Sequence, residues 1–157
     1  MTQRINFYEK GFQALTPLFG FGKYLSKCRI ERNLLHLIEF RISQINGCAY
    51  CLDMHSKDLR AEGEAEQRIY MLDAWKEASI YTAREKAAFR WAEAVTLLKD
   101  KEVSDEVYDE AVSQFSDEEL IDLTIAVLAI NCYNRLNVAF RTPAGDYQPG
   151  QHAALNS

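Results

Sequence analysis

From Glu31 to about Gln44 the chain places Leu34, Leu35, Ile38, Ile42 and Ile45 at three- and four-residue steps, the apolar stripe of an amphipathic helix. Asn46-Gly47 interrupts that period, and a new helix is predicted from about Cys48 to Gly63, whose glycine supplies the stop. A short helix over Glu64–Ala74 follows. Thr82 and Glu85 form a capping box, so a helix should run to about Lys99 with Phe89, Ala92 and Leu97 facing inward. Ser104 caps the next helix, which ends near Gln114. Ser116 and Glu119 form a second capping box and open a long apolar helix that reaches Arg141. Upstream, Arg4–Cys28 predicts two short helices, broken near Leu15-Thr16-Pro17 and Gly20-Phe21-Gly22.

No Val/Ile/Thr-rich alternating run is bounded by hairpin turns, so no sheet is expected. The prediction is an all-α fold, one helical domain over residues 1–142, followed by a loop-like, partly disordered tail over 143–157. The long last helix is apolar around much of its circumference. Its surplus must be buried in the core or in a subunit interface, which predicts an obligate homo-oligomer.

Composition narrows the chemistry. A chain of 157 residues, 48% of them hydrophobic, buries a core without staples. Its 18 basic residues stand against 23 acidic ones, a formal net charge of -5. That balance, with no basic cluster, argues against nucleic acid and against anionic membrane surfaces as partners. The N-terminus lacks the apolar core of a signal peptide, and the run 120–130 contains Asp122 and is too short to span a bilayer. A cytoplasmic location is therefore expected. Thiols are kept reduced there, so a close cysteine pair points to catalysis or metal binding.

Such a pair lies in Asn46–His55, where Cys48, Cys51 and His55 follow the spacing CxxCxxxH. An α-helix advances about 100° per residue, so with Cys48 at zero, Cys51 falls near about 300° and His55 near about 340°. All three share one face with Leu52 and Leu59, while Asp53, Lys57 and Arg60 point toward water. Cys48 stands in the first turn, where the helix dipole and unpaired amides lower a thiol pKa. His55 is placed to take a proton from Cys51. A thiolate attacks peroxide to give a sulfenic acid, and a second cysteine condenses with it to a disulfide. The same three side chains are competent zinc ligands, with His36, Cys28 or Cys132 as a fourth. A metal-binding or thiol redox-sensing module therefore stays open beside the enzyme. A c-type haem is excluded, because Leu52 stands where its histidine must follow the second cysteine.

The segment Ser43–Glu64, with residues 68–96, 115–120 and 129–141, resembles the AhpD-like alkylhydroperoxidases of the carboxymuconolactone decarboxylase superfamily. The resemblance implies an all-helical bundle assembled as trimers or hexamers. It also implies peroxide reduction without a cofactor or metal, through a CxxC disulfide, with electrons from a lipoyl or thioredoxin-like dithiol protein. By the same resemblance Cys51 is the peroxide-attacking cysteine, Cys48 its partner and His55 the relay histidine. Two positions depart from the pattern. His36 stands where the best-studied branch has a relay glutamate, and Tyr50 where its CxxC has a histidine. Glu39, one turn after His36, is the candidate substitute, so the expected catalytic set is Cys51, Cys48, His55, His36 and Glu39. The dipole favours Cys48 as nucleophile, whereas the i,i+4 histidine and the family pattern favour Cys51. Asn131, Asn134 and Asn137 are read as structural, Cys28 and Cys132 as spectators, and Trp75, Trp91, Tyr81 and Phe89 as core.

Overall fold

The computed structural model describes residues 2–152. The elements run α1 Phe7–Lys10, α2 Phe12–Leu25, α3 Arg32–Asn46, α4 Ala49–Ala61, α5 Glu66–Met71, α6 Ala83–Leu97, α7 Asp105–Val112 and α8 Asp117–Phe140. No strand occurs among the described residues. At the centre α3 packs on α8, on α4 and on α6; α2 lies against α8, and α7 against α6.

The α3 stripe behaves as its spacing requires: Leu34, Leu35, Ile38 and Ile42 are buried, joined by Leu37 and Phe40. Only Ile45, in the last turn, is half-buried. Gly47 ends the helix with φ 64, a left-handed conformation that a side chain would strain. Both capping boxes form, Thr82 with Glu85 and Ser116 with Glu119.

Three expectations are corrected. The break in the N-terminal segment falls at Gly11, and α2 continues through Pro17 and Gly20-Phe21-Gly22. Proline in a helix forfeits one hydrogen bond and kinks the chain, a loss of about 3 kcal/mol that packing can offset; here Leu15 and Leu25 are both buried. Leu97 is 49% exposed; five residues beyond Ala92 it lies about 140° around the helix from the inward face. The segment 120–130 is too short to span a bilayer, but the helix containing it has 24 residues and is long and apolar enough to do so. That helix lies among α2, α3, α4, α6 and α7. Its Asp122 is buried and accepts hydrogen bonds from the Tyr24 hydroxyl and from Arg29. Ile121, Leu128 and Val138 stand exposed along it.

Residues 143–152 turn back over α4. The Gly145 amide donates to Asp53 at 2.9 Å, and Lys57 Nζ donates to the carbonyls of Gly145 and Tyr147 at 2.8 and 3.0 Å. Tyr147, 5% exposed, donates its hydroxyl to Asp58. The charges assigned to water, Asp53 and Lys57, are thus the clasp of the tail. Residues 153–157 of the tail lie outside the described residues.

Candidate functional site

Cys48 is the N-cap of α4 rather than a residue of its first turn, with extended backbone at φ -84, ψ 95. Its Sγ accepts the Cys51 amide N–H at 3.4 Å. The two Cα atoms are 5.4 Å apart and the sulfurs are joined as a disulfide. Both cysteines are buried, at 1% and 0% exposure, yet only Cys51 reaches the wall of the neighbouring cavity. The Cys51 sulfur also accepts a hydrogen bond from Asn137 Nδ2 at 3.5 Å. The cavity, about 370 Å³, is formed by α4, α3, α8, α2, Tyr8 of α1 and the tail.

His55 opens on the same cavity one turn beyond Cys51 and is buried. Its Nδ1 lies 3.4 Å from Glu39 Oε2, and its Nε2 has no hydrogen-bond partner. The Oδ1 of Asn137 is likewise buried without a partner. Groups of this kind are ordinarily satisfied, so these two atoms have hydrogen-bonding capacity left for water or a polar guest in the cavity.

The expected pairing of His36 with Glu39 is not what the structure shows. Glu39 approaches His55, while His36 Nδ1 sits 3.1 Å from Glu62 Oε2, without the alignment of a hydrogen bond. The two imidazoles are 6.5 Å apart between ring centroids. Both still line the cavity, His36 as the outer of the two. Position 50 is held by a tyrosine whose hydroxyl lies 2.7 Å from Nε2 of His152 in the tail.

Burial drives both members of the inner pair toward neutrality. It pushes the Glu39 carboxyl up, opposed in part by nearby His36. It pushes the His55 imidazole down to about 3, with His36 adding to the effect. A buried site of low polarity disfavours either charge, so an added proton on this pair settles on Glu39 rather than on His55.

The two shifts have opposite consequences for stability. His55 is depressed on folding from 6.5 to about 3, so it contributes stability above pH 6.5 and loses it as pH falls toward 3. Glu39 is raised above 4.5, so it favours the fold below that pH and loses its contribution as pH rises. Just above pH 4.5 the two trends oppose each other; below 4.5 only that of His55 acts. At about 1.4 kcal/mol per pH unit for one proton, His55→Gln should lose roughly 2 kcal/mol less than wild type between about pH 4.5 and 3. Urea midpoints of both proteins over that range measure the difference, and parallel curves would refute the assignment.

Among the described residues, no group of three or more His, Cys, Asp or Glu side chains is placed to hold a metal ion. Asn134 and Asn131 are structural as read: both accept from Asn46 Nδ2, at 2.8 and 3.0 Å, and Asn134 donates to Ser43. Asn137 is not, since it touches the Cys51 sulfur. The asparagine stripe signalled it, but only the packing of α8 on α4 separates it from its two neighbours. Tyr147 and His152, the tail's contribution to the cavity, were missed.

The model of the carboxymuconolactone decarboxylase family matches residues 11–94. The uncharacterized protein YdfG of Bacillus subtilis is 40% identical over 139 residues, spanning 88% of this chain and 95% of that one. Among solved structures, ATU0492 from Agrobacterium tumefaciens, described as a candidate AhpD-type antioxidant defence protein, is 36% identical. It covers 93% of this chain and 100% of its own, with a TM-score of 0.88. The debrominase Bmp8 superposes with a TM-score of 0.78 over 94% of this chain and 78% of its own. At 20% identity that likeness is one of fold.

Proposed function

The chain belongs to the carboxymuconolactone decarboxylase family, and we propose that within it the protein is a dithiol-dependent hydroperoxide reductase. The observation that carries this reading is Cys51 on the cavity wall with the amide of Asn137 on its sulfur, His55 and its orphan Nε2 on the same wall one turn beyond, and Cys48 not on that wall.

In the reduced protein, His55 Nε2 takes the Cys51 thiol proton while Nδ1 passes one to Glu39. The carboxyl, raised by burial, is the better place to hold it. Asn137 Nδ2 steadies the thiolate with one N–H donor. The thiolate attacks the terminal oxygen of ROOH; the O–O bond breaks, Cys51 becomes a sulfenic acid, and the departing RO⁻ takes the stored proton to leave as ROH. The Cys48 thiolate then attacks the Cys51 sulfur and expels hydroxide, which is protonated to water. The sum is two thiols and one hydroperoxide converted to one disulfide, one alcohol and one water. That half-reaction would leave a Cys48–Cys51 disulfide, the pairing the two sulfurs have in this structure. A lipoyl or thioredoxin-like dithiol protein returns the two electrons and two protons.

The test is consumption of cumene hydroperoxide by the purified protein with dihydrolipoamide as reductant. Turnover with one disulfide of lipoamide formed per hydroperoxide lost is expected. No consumption above the uncatalysed rate would overturn the assignment.

A further inference from the structure

The first helix and the C-terminal tail bring a second group of rings to the cavity of Cys51. The His152 ring lies 5.7 Å from that of Tyr8 at 16°, 5.8 Å from Tyr147 and 6.4 Å from Tyr50. All four line the cavity. The Tyr50 hydroxyl is engaged by His152 and that of Tyr147 by Asp58, so what these tyrosines have left to offer a guest is ring surface. Burial keeps the phenols protonated, with Tyr50 pushed up to about 12.

Size and charge narrow the guest further. A water takes up about 30 Å³ of liquid, so hydrogen peroxide would leave most of this cavity empty. Its 370 Å³ lies in the range of pockets that enclose larger organic ligands. Arg32, the guanidinium on the wall among the described residues, is already paired with Glu62 at 2.6 Å, and Asp58 and Glu39 add carboxyl groups. A guest bearing its own carboxylate would meet acidic groups and a guanidinium already spoken for.

We propose that Tyr8, Tyr50, Tyr147 and His152 form a ring-lined subsite for the organic group of a neutral aromatic hydroperoxide, whose O–O end reaches Cys51. This rests on the peroxidase reading above. The subsite is assembled by the clasp that Asp53, Lys57 and Asp58 make on the tail, so the helix that carries both the nucleophile and His55 also fixes the wall that receives the substrate.

The experiment compares kcat/KM for cumene hydroperoxide, its para-carboxylate and tert-butyl hydroperoxide, in wild type and in His152→Ala and Tyr8→Leu. Cumene hydroperoxide should exceed each of the other two by about tenfold or more. Each substitution should cut the cumene-to-tert-butyl ratio about fivefold, through KM, in keeping with the strength of ring–ring contacts. A general structural fault lowers both substrates together and leaves the ratio alone. Should a variant fail to fold, the wild-type ratios decide. Equal kcat/KM for the three hydroperoxides removes the subsite and leaves the peroxidase standing. If no hydroperoxide oxidises the thiols, the peroxidase reading falls and the subsite with it.

Discussion

Cys51→Ser is expected to abolish hydroperoxide turnover, by at least about 10³-fold in kcat/KM, because a serine hydroxyl at this site is neither ionised near neutrality nor a match for sulfur as a nucleophile toward peroxide. Cys48→Ser should also stop steady-state turnover but for a different reason. Its Cys51 can still attack one equivalent of oxidant and then has no partner with which to condense. The two variants therefore part company in a single turnover measured by loss of hydroperoxide, where Cys48→Ser shows one equivalent consumed and Cys51→Ser none. Cys51 lines the cavity and Cys48 does not, so the opposite pattern would contradict the geometry. The helix dipole had favoured Cys48. As N-cap it accepts the Cys51 amide N–H, which also favours a thiolate there, but it does not line the cavity, and we assign the role to the sulfur that does.

The second large effect concerns Glu39 and His55. Each is expected to cost about 10²-fold in kcat/KM when replaced, Glu39→Gln and His55→Gln alike, within the range of a positioned acid–base group. Because the two act as one proton path, the double variant should lose little more than either single one. His36→Gln should cost less than about fivefold, since its contact is with Glu62 and it meets His55 only at ring distance. Steady-state kinetics of the four proteins measure this. Losses that multiply to about 10⁴ in the double variant, or a His36→Gln defect equal to that of Glu39→Gln, would dissolve the pair.

Much of this arrangement could be read before the fold was known, because it is local. CxxCxxxH fixes three side chains along about two turns of helix, Asn46-Gly47 fixes where that helix starts, and two capping boxes fix the entries of α6 and α8. What could not be read is what crosses between elements. Helical spacing put Glu39 beside His36, but α4 packs on α3 so that His55 is the neighbour that matters. Asn137 lies 86 residues from Cys51, and nothing in its surroundings in sequence distinguishes it from Asn134. The tail has no periodicity to analyse. Residues 143–152 are held by hydrogen bonds to Asp53 and Lys57, charges that a helical wheel assigns to solvent, and to Asp58. Pro17, read as a breaker, shows the same limit in reverse: long-range packing holds a helix through it.

The most direct test is to expose reduced Cys48→Ser protein to one equivalent of cumene hydroperoxide, trap sulfenic acid with dimedone, and locate the adduct by peptide mass spectrometry. The adduct is expected on Cys51 within seconds, and in amount close to the hydroperoxide added. An unmodified Cys51, with the oxidant still present or the label on Cys28 or Cys132, would mean that the sulfur facing the cavity is not the one that meets the peroxide.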